Sequence, residues 1–396
     1  MEPAPSYRFL ILAILLITTF SWGLVLFGVP VTLSLLMSEL HITNAEAGAL
    51  FGSLYLSLVL GGVTTGFLTK RMGLKKFLLA GMLLGGVSGV LRGLSYGYLD
   101  LLIYSLLFSF STAIITSGSA SVIRVWFRSR QYGMASGLWN AFFGVGALTA
   151  MVSTVPAVIP LAGGWRGAFI LYAAPMLIAS AFWHLLYRDP QDKPSEEQSL
   201  QTPRGLLHSL NFWLVLASFF LIVGNQNAAI NWMPILLEVR GLTSEQSGAL
   251  SALVWLGALT GSVAIPSISD RIGRRILPVM VLTPLLGLTI YGLTLMGGDS
   301  PYLPINIFGL GFTSSYAWAM FLTITMELPD VGRENMARAS GLLLSASGVG
   351  AFFLPVLGGL IKDFTGSLTP AFLVYASSTQ LAVVFLAILG LRKVLR

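Results

Sequence analysis

The chain has no cysteine among its 396 residues. That excludes disulfides, thiolate metal sites and a cysteine nucleophile. Histidine is nearly as scarce, with 3 copies (His41, His184 and His208), all peripheral to the apolar runs. Charge is scarce too. Asp, Glu, Lys and Arg make up 10% of the chain, against about 25% in a soluble domain. A chain so poor in charge is well solvated only if much of its surface faces lipid. The net charge of +7 does not point to nucleic acid, because the basic residues lie between long apolar runs rather than on one soluble face. No P-loop, nucleophile elbow or metal-ligand cluster is present. An enzyme is therefore not expected, nor is a cofactor or a bound metal. Without a nucleotide site, any energy for work must come from a gradient.

What the chain does have is apolar length. Hydrophobic residues make up 55% of it, and the mean hydropathy is +0.81. A membrane-spanning helix needs about 20 mostly apolar residues. Twelve segments qualify: 9–37, 45–68, 77–94, 99–126, 133–158, 165–187, 211–237, 244–269, 276–296, 302–328, 335–361 and 369–391. The first is too long for a signal-peptide core and lacks a small-residue cleavage site, so it reads as a span rather than a leader. The fold class expected is thus an all-α membrane protein of twelve helices in two six-helix bundles. The stretch 188–210, RDPQDKPSEEQSLQTPRGLLHSL, is polar and forms the longest gap. It divides an N-terminal bundle, 1–187, from a C-terminal bundle, 211–396.

Basic residues orient the chain, since Lys and Arg concentrate on the cytoplasmic side. With the N-terminus inside, the outer side keeps Arg92, Arg166, Arg240 and Lys362, and the inner side receives the other 19 of the 23 Lys and Arg. Both termini and the central linker are therefore expected in the cytoplasm. Arg92 and Arg124 are the innermost basic residues, and the default for each is to snorkel to the headgroups.

The two halves repeat each other. At a shift of 200 residues, ITNAEAGALFGSLYLSLVLGGV from Ile42 meets LTSEQSGALSALVWLGALTGSV from Leu242. At a shift of 204, Ala135-Ser136-Gly137-Leu138 meets Ala339-Ser340-Gly341-Leu342, and Gly144-Val145-Gly146-Ala147 meets Gly348-Val349-Gly350-Ala351. Parallel six-helix repeats are a transporter architecture.

The loops after the second and eighth spans carry a family resemblance. GFLTKRMGLKK (Gly66 to Lys76) and PSISDRIGRR (Pro266 to Arg275) both resemble the signature of the major facilitator superfamily. In the first copy Lys70 replaces the acid, and in the second Pro266 replaces the leading Gly. Trp165-Arg166-Gly167-Ala168-Phe169 is also similar to that superfamily. Within it, Ser121 to Ala141 and Ala229 to Leu250 resemble the cyanate, nitrate and oxalate porters of small anions. The resemblance implies a secondary transporter working by alternating access, with a small-molecule substrate, a surrounding lipid bilayer and no other required partner. It leaves room for a coupling proton or counter-substrate, and implies a monomer in a prokaryotic cytoplasmic membrane.

All 16 acidic residues fall in loops or near helix ends, so a carboxylate proton relay at mid-depth is not expected. The mid-depth polar groups are uncharged. The seventh span carries Asn225, Gln226, Asn227 and Asn231. Such amides either glue the bundle or line a cavity, and the resemblance implies that this helix lines one. Trp22, Tyr55, Thr112, Thr116, Trp255 and Tyr316 count to similar depth, and Asn140 sits in the anion-porter-like segment. Tyr55 and Trp255 are equivalent under the 200-residue shift and could clamp a solute from opposite halves. An inward-turned Arg124 would suit an oxyanion. The family fold further implies two ionic latches at the inner ends. Lys70 would meet Glu327, Asp330 and Glu334, and Asp270 would meet Arg124, Arg128 and Arg130, with Arg71 and Arg271 beside them as further gating residues. The same charges could simply set topology. Two other functions stay open: export of lipophilic or cationic compounds, which an aromatic uncharged cavity permits, and a non-transporting receptor.

Overall fold

The computed structural model describes residues 7–128, 131–188, 206–272, 276–328 and 331–391, the side chains at 58, 60–70, 207, 270, 276, 319 and 332–337 excepted. Among these residues the secondary structure is helical, with no strand. This is the economical solution in lipid, because a helix satisfies its own backbone polar groups. The first half contains α1 (Tyr7–Leu40), α2 (Asn44–Ser53), α3 (Ser57–Gly93), α4 (Tyr98–Trp126), α5 (Tyr132–Ser153), α6 (Ile159–Ala162) and α7 (Trp165–Leu186). The second contains α8 (Leu210–Val239), α9 (Ser244–Ser251), α10 (Leu253–Ile272), α11 (Ile276–Leu295), α12 (Leu303–Ser314), α13 (Ala317–Glu327), α14 (Gly332–Thr365) and α15 (Thr369–Leu391).

Among the described residues, 10 helices are long and apolar enough to cross a membrane. The two other expected spans, 45–68 and 302–328, are present but broken. The first consists of α2 and the start of α3, the second of α12 and α13. The count is consistent with twelve. Serine hydroxyls mark both breaks. Ser53 bonds back to the Leu50 carbonyl, and Ser314 and Ser315 to those of Gly311 and Phe312. Such back-bonding competes with the helix ladder and bends it. α3 itself joins two spans across Gly73, whose φ of 73° suits only a residue without Cβ. The fifth span passes from α5 through a π-helical turn, Thr154–Val158, into α6. Pro156 lies inside that turn and cannot donate to the ladder.

The repeat is visible in the packing. α1 crosses α5 where Gly23 meets Gly146. A Cβ on Gly146 would stand 2.1 Å from the Phe20 carbonyl oxygen, so the backbones touch. α8 crosses α14 in the same way at Gly224 and Gly350, where a Cβ on Gly350 would stand 2.6 Å from the Phe220 carbonyl oxygen. Small residues allow this close approach between membrane helices. The N-termini of α2 and α9 also match. Thr43 with Glu46, and Thr243 with Gln246, form reciprocal capping boxes 200 residues apart.

The chain divides into two compact units. One comprises residues 1–40 with 60–200, the other 41–59 with 201–396. α2 thus belongs by repeat to the first half of the sequence and by packing to the second unit.

Candidate functional site

In the first unit, α4 and α5 carry a polar face that the fold leaves open. On α4, Thr116, Ala120 and Arg124 are exposed at intervals of four residues, which places them in one line. On α5, Gly133, Ser136, Gly137 and Asn140 are exposed. α5 has a second exposed face, and it is apolar: Met134, Leu138, Phe142 and Val145. At 3.6 residues per turn these two faces of α5 point in well-separated directions. The apolar one suits lipid. The polar one does not, because hydrocarbon offers its groups no partners.

Local bonds hold this polar face. The Tyr132 hydroxyl donates to the Arg124 carbonyl at 3.0 Å, tying the start of α5 to the end of α4. Asn140 donates to the Ser136 carbonyl at 3.1 Å, and Thr116 to that of Thr112 at 2.6 Å. Thr112 is buried, and its hydroxyl bonds the Ser109 carbonyl of its own helix. Arg124 lies in the last turn of α4. Thr116 is two turns deeper, about 12 Å at 1.5 Å per residue. Arg124 is therefore a residue of the mouth, with Thr116 farther along the face. Behind α5, half-buried Trp22 packs on Phe143 and Trp139, with ring centroids 4.6 and 5.8 Å apart.

In the second unit the four amides of α8 separate into two roles. Asn225 is fully buried. It donates to Thr379 at 3.1 Å and accepts from Ser378 at 3.1 Å, so it ties α8 to α15. Gln226 and Asn227 are half-buried. Asn227 donates to the Val223 carbonyl, and Asn231 to that of Asn227, both at 2.8 Å. Asn231 also pairs with the Tyr55 hydroxyl. Tyr55 and Trp255 lie in the same compact unit, not one in each. Each stands beside its own helix break, Tyr55 between α2 and α3, Trp255 just after the break at Ala252. Tyr316 is buried, its hydroxyl 2.6 Å from that of Thr283 on α11. It braces the α12–α13 break rather than facing open space.

Of the expected latch residues, Arg71, Arg128, Arg271 and Glu327 are exposed. The side chains of Lys70, Asp270, Arg130, Asp330 and Glu334 lie outside the described residues.

Arg92 corrects an expectation. It does not snorkel; it is 0% exposed. Its Nη1 donates to the Val25 carbonyl at 3.2 Å, and its guanidinium lies 4.9 and 5.6 Å from the ring centres of Phe169 and Phe108. The aromatic faces and one carbonyl replace the headgroups it was expected to reach. Near it, Arg166 pairs with Glu39 and donates to the Ser95 carbonyl, while Trp165 also donates to Glu39. This explains the Trp-Arg start of α7: both residues fasten the end of α1.

A duplicated bundle of membrane helices, with an open polar face and amides inside, is the build of a solute transporter. The chain belongs to the Major Facilitator Superfamily, whose family description matches residues 11–333. It is an integral, multi-pass membrane protein. It is 24% identical to a probable sulfoacetate transporter of Cupriavidus necator, covering 94% of this chain and 92% of that one. It is also 24% identical to a cyanate transport protein of Escherichia coli (92% and 88% covered) and 22% identical to a hexuronate transporter of Bacillus subtilis (85% and 84% covered). Its fold matches a bacterial homologue of the human lysosomal transporter Spinster, solved inward-facing and unoccupied, at a TM-score of 0.72 and 17% identity over 98% of this chain and 96% of that one.

Proposed function

We propose that the protein moves a small organic or inorganic anion across the membrane by alternating access, as a monomer driven by a gradient. One observation carries the reading: the open polar face on α4 and α5, with Arg124 at its mouth and Thr116 and Asn140 farther along it. A guanidinium is a fork of donors that fits a carboxylate, sulfonate or similar oxyanion. Hydroxyl and amide groups farther along can take over its hydrogen bonds as the anion leaves the mouth. An uncharged interior keeps the anion from being held too tightly to leave. The names of the relatives, which include transporters of sulfoacetate, cyanate and hexuronate, support the same substrate class.

The test is uptake into proteoliposomes of labelled sulfoacetate, cyanate and a hexuronate, each with and without a proton gradient. Uptake of at least one anion is expected. Arg124→Gln, shown to fold normally, should lower kcat/KM about 10- to 100-fold, because a charge-assisted hydrogen bond contributes about 1.5–3 kcal/mol. Wild-type uptake in that variant would remove Arg124 from the pathway. The aromatic group of Trp22, Trp139 and Phe143 favours a second reading, export of lipophilic cations. Transport of a fluorescent lipophilic cation with no uptake of any anion would establish that reading instead.

A further inference from the structure

We infer that Arg92, though sealed from water, sets the sign of the open face on α4: its charge acts through the protein and draws an anion inward past Arg124. Arg92 touches no solute in this role and is a positioning residue. What it does to a transported anion rests on the reading above; the field itself does not.

The packing does not call for a charge here. Arg92 is 0% exposed, and its described hydrogen bond is one, to the Val25 carbonyl at 3.2 Å. Its Nε and Nη2 have no partner among the described residues. Desolvating an ion so thinly compensated is strongly unfavourable. The second repeat does without one. Shifts of 200 to 204 carry position 92 to 292–296, Gly-Leu-Thr-Leu-Met. What a guanidinium supplies that an apolar side chain of similar volume would not is a field.

Two features let that field out. First, the partners of Arg92 are a carbonyl dipole and the rings of Phe169 and Phe108, at 4.9 and 5.6 Å. They hold the guanidinium but carry no net charge, so they do not cancel it. Second, water screens a charge best, and a buried charge is screened much less. The helices around Arg92 offer little to oppose it. α3 and α7 contain no acid. On α1 the acid is Glu39, which is paired with Arg166, so those two charges cancel. On α4 it is Asp100, two turns before Phe108, whereas Thr116 lies two turns after Phe108. At 1.5 Å per residue, Thr116 is roughly 12 Å along α4 from the level of Arg92 and roughly 24 Å from Asp100. Coulomb energy falls as the inverse of distance, so Asp100 offsets only about half of the field at Thr116.

Thr116 therefore stands between two cations, with Arg124 at the mouth and Arg92 behind the wall. Arg124 alone would hold an anion at the mouth. With Arg92 present, an anion that moves in to Thr116 is attracted from both sides. A unit charge about 12 Å away, at an effective dielectric of about 20, raises the occupancy of a monoanion about tenfold and that of a dianion about a hundredfold. Clefts with low-dielectric walls focus such fields.

Because the chain has no cysteine, Thr116→Cys would be its sole thiol, at an exposed position. In the full chain in nanodiscs, that thiol would be reacted with an anionic and a cationic methanethiosulfonate, the sulfonatoethyl and trimethylammonioethyl reagents. The ratio of the two rates reports the local potential, since the ionisation of the thiol itself cancels. Arg92→Met should lower the anionic-to-cationic ratio about fivefold or more. Ala120→Cys, one turn farther from Arg92, should show a smaller fall. Arg92→Gln should repeat the result, and covers the case in which Arg92→Met fails to fold. A purely structural role would alter access for both reagents alike, so an unchanged ratio in a folded variant would overturn the inference. Transport gives a second readout. Arg92→Met should raise KM for sulfoacetate, a dianion, more than for cyanate, a monoanion, with kcat changed less. Equal rises would overturn the role in anion selection. If the parent moves no anion, the reading above fails, and the reagent rates still decide the field.

Discussion

A guanidinium sealed from water costs several kcal/mol unless charge and hydrogen bonds compensate it. The partners described for Arg92 are one carbonyl and two rings, and its Nε and Nη2 have no hydrogen-bond partner among the described residues. Its long stem, by contrast, fills space between α1, α4 and α7. The two contributions can be separated. Arg92→Met keeps most of the volume and removes the charge, so it should leave melting in detergent unchanged or raise it. Arg92→Ala also removes the volume and should melt below Arg92→Met by the equivalent of about 2–4 kcal/mol. If Arg92→Met falls as far as Arg92→Ala, the charge itself is required. The sequence could not place this side chain. A basic residue near a helix end ordinarily finds headgroups, and the rings that intercept Arg92 lie 16 and 77 positions away, at Phe108 and Phe169. The same holds for Asn225. Its amide was legible as a buried polar group, but its partners on α15 were not.

At the scale of elements, the apolar runs gave helix positions to within a few residues, because the length of a span is set by the bilayer. They did not give the breaks at 54–56, at Ala252 and at Ser315. Those stretches are apolar or small, without proline, so hydropathy passes over them. Serine back-bonding, which bends the first and third of them, leaves no trace in an apolar average. The capping boxes at Thr43 and Thr243 were not read from the sequence, where these segments served only as a repeat; the structure shows that they mark where two helices begin. The glycines were legible as repeats but not as contacts. Geometry now separates them into two kinds. Gly146 and Gly350 sit where another backbone passes, whereas Gly137 and Gly341, nine residues earlier in each copy, have open space around the position of a Cβ. Gly146→Ala and Gly350→Ala should each destabilise the protein by about 1–3 kcal/mol or more through forced helix separation. Gly137→Ala and Gly341→Ala should be neutral or slightly stabilising, since alanine favours helix. Thermal melting of the four variants decides. Equal effects at all four would mean that the crossings are not close-packed.

For the whole molecule, the repeat in sequence and the repeat in packing agree at the glycine crossings and part company at α2. A duplicated chain would be expected to keep each copy together. Here residues 41–59 pack with 201–396, so inheritance and packing follow different boundaries. Only a structure could reveal that, because the sequence of α2 still matches α9. Orientation, by contrast, is a property of the whole charge distribution and needs no side-chain geometry. Placing the termini outside would leave 4 of the 23 basic residues within and put 19 without, against the strong bias of membrane insertion. Green fluorescent protein fused to the C-terminus should therefore fluoresce, since it folds in the cytoplasm. Alkaline phosphatase, which is active only after export, should be active when fused after Gly97 and inactive when fused after residue 190. The opposite pattern would invert the topology. Arg124, in the last turn of α4, would then stand at the outer mouth instead of the inner one.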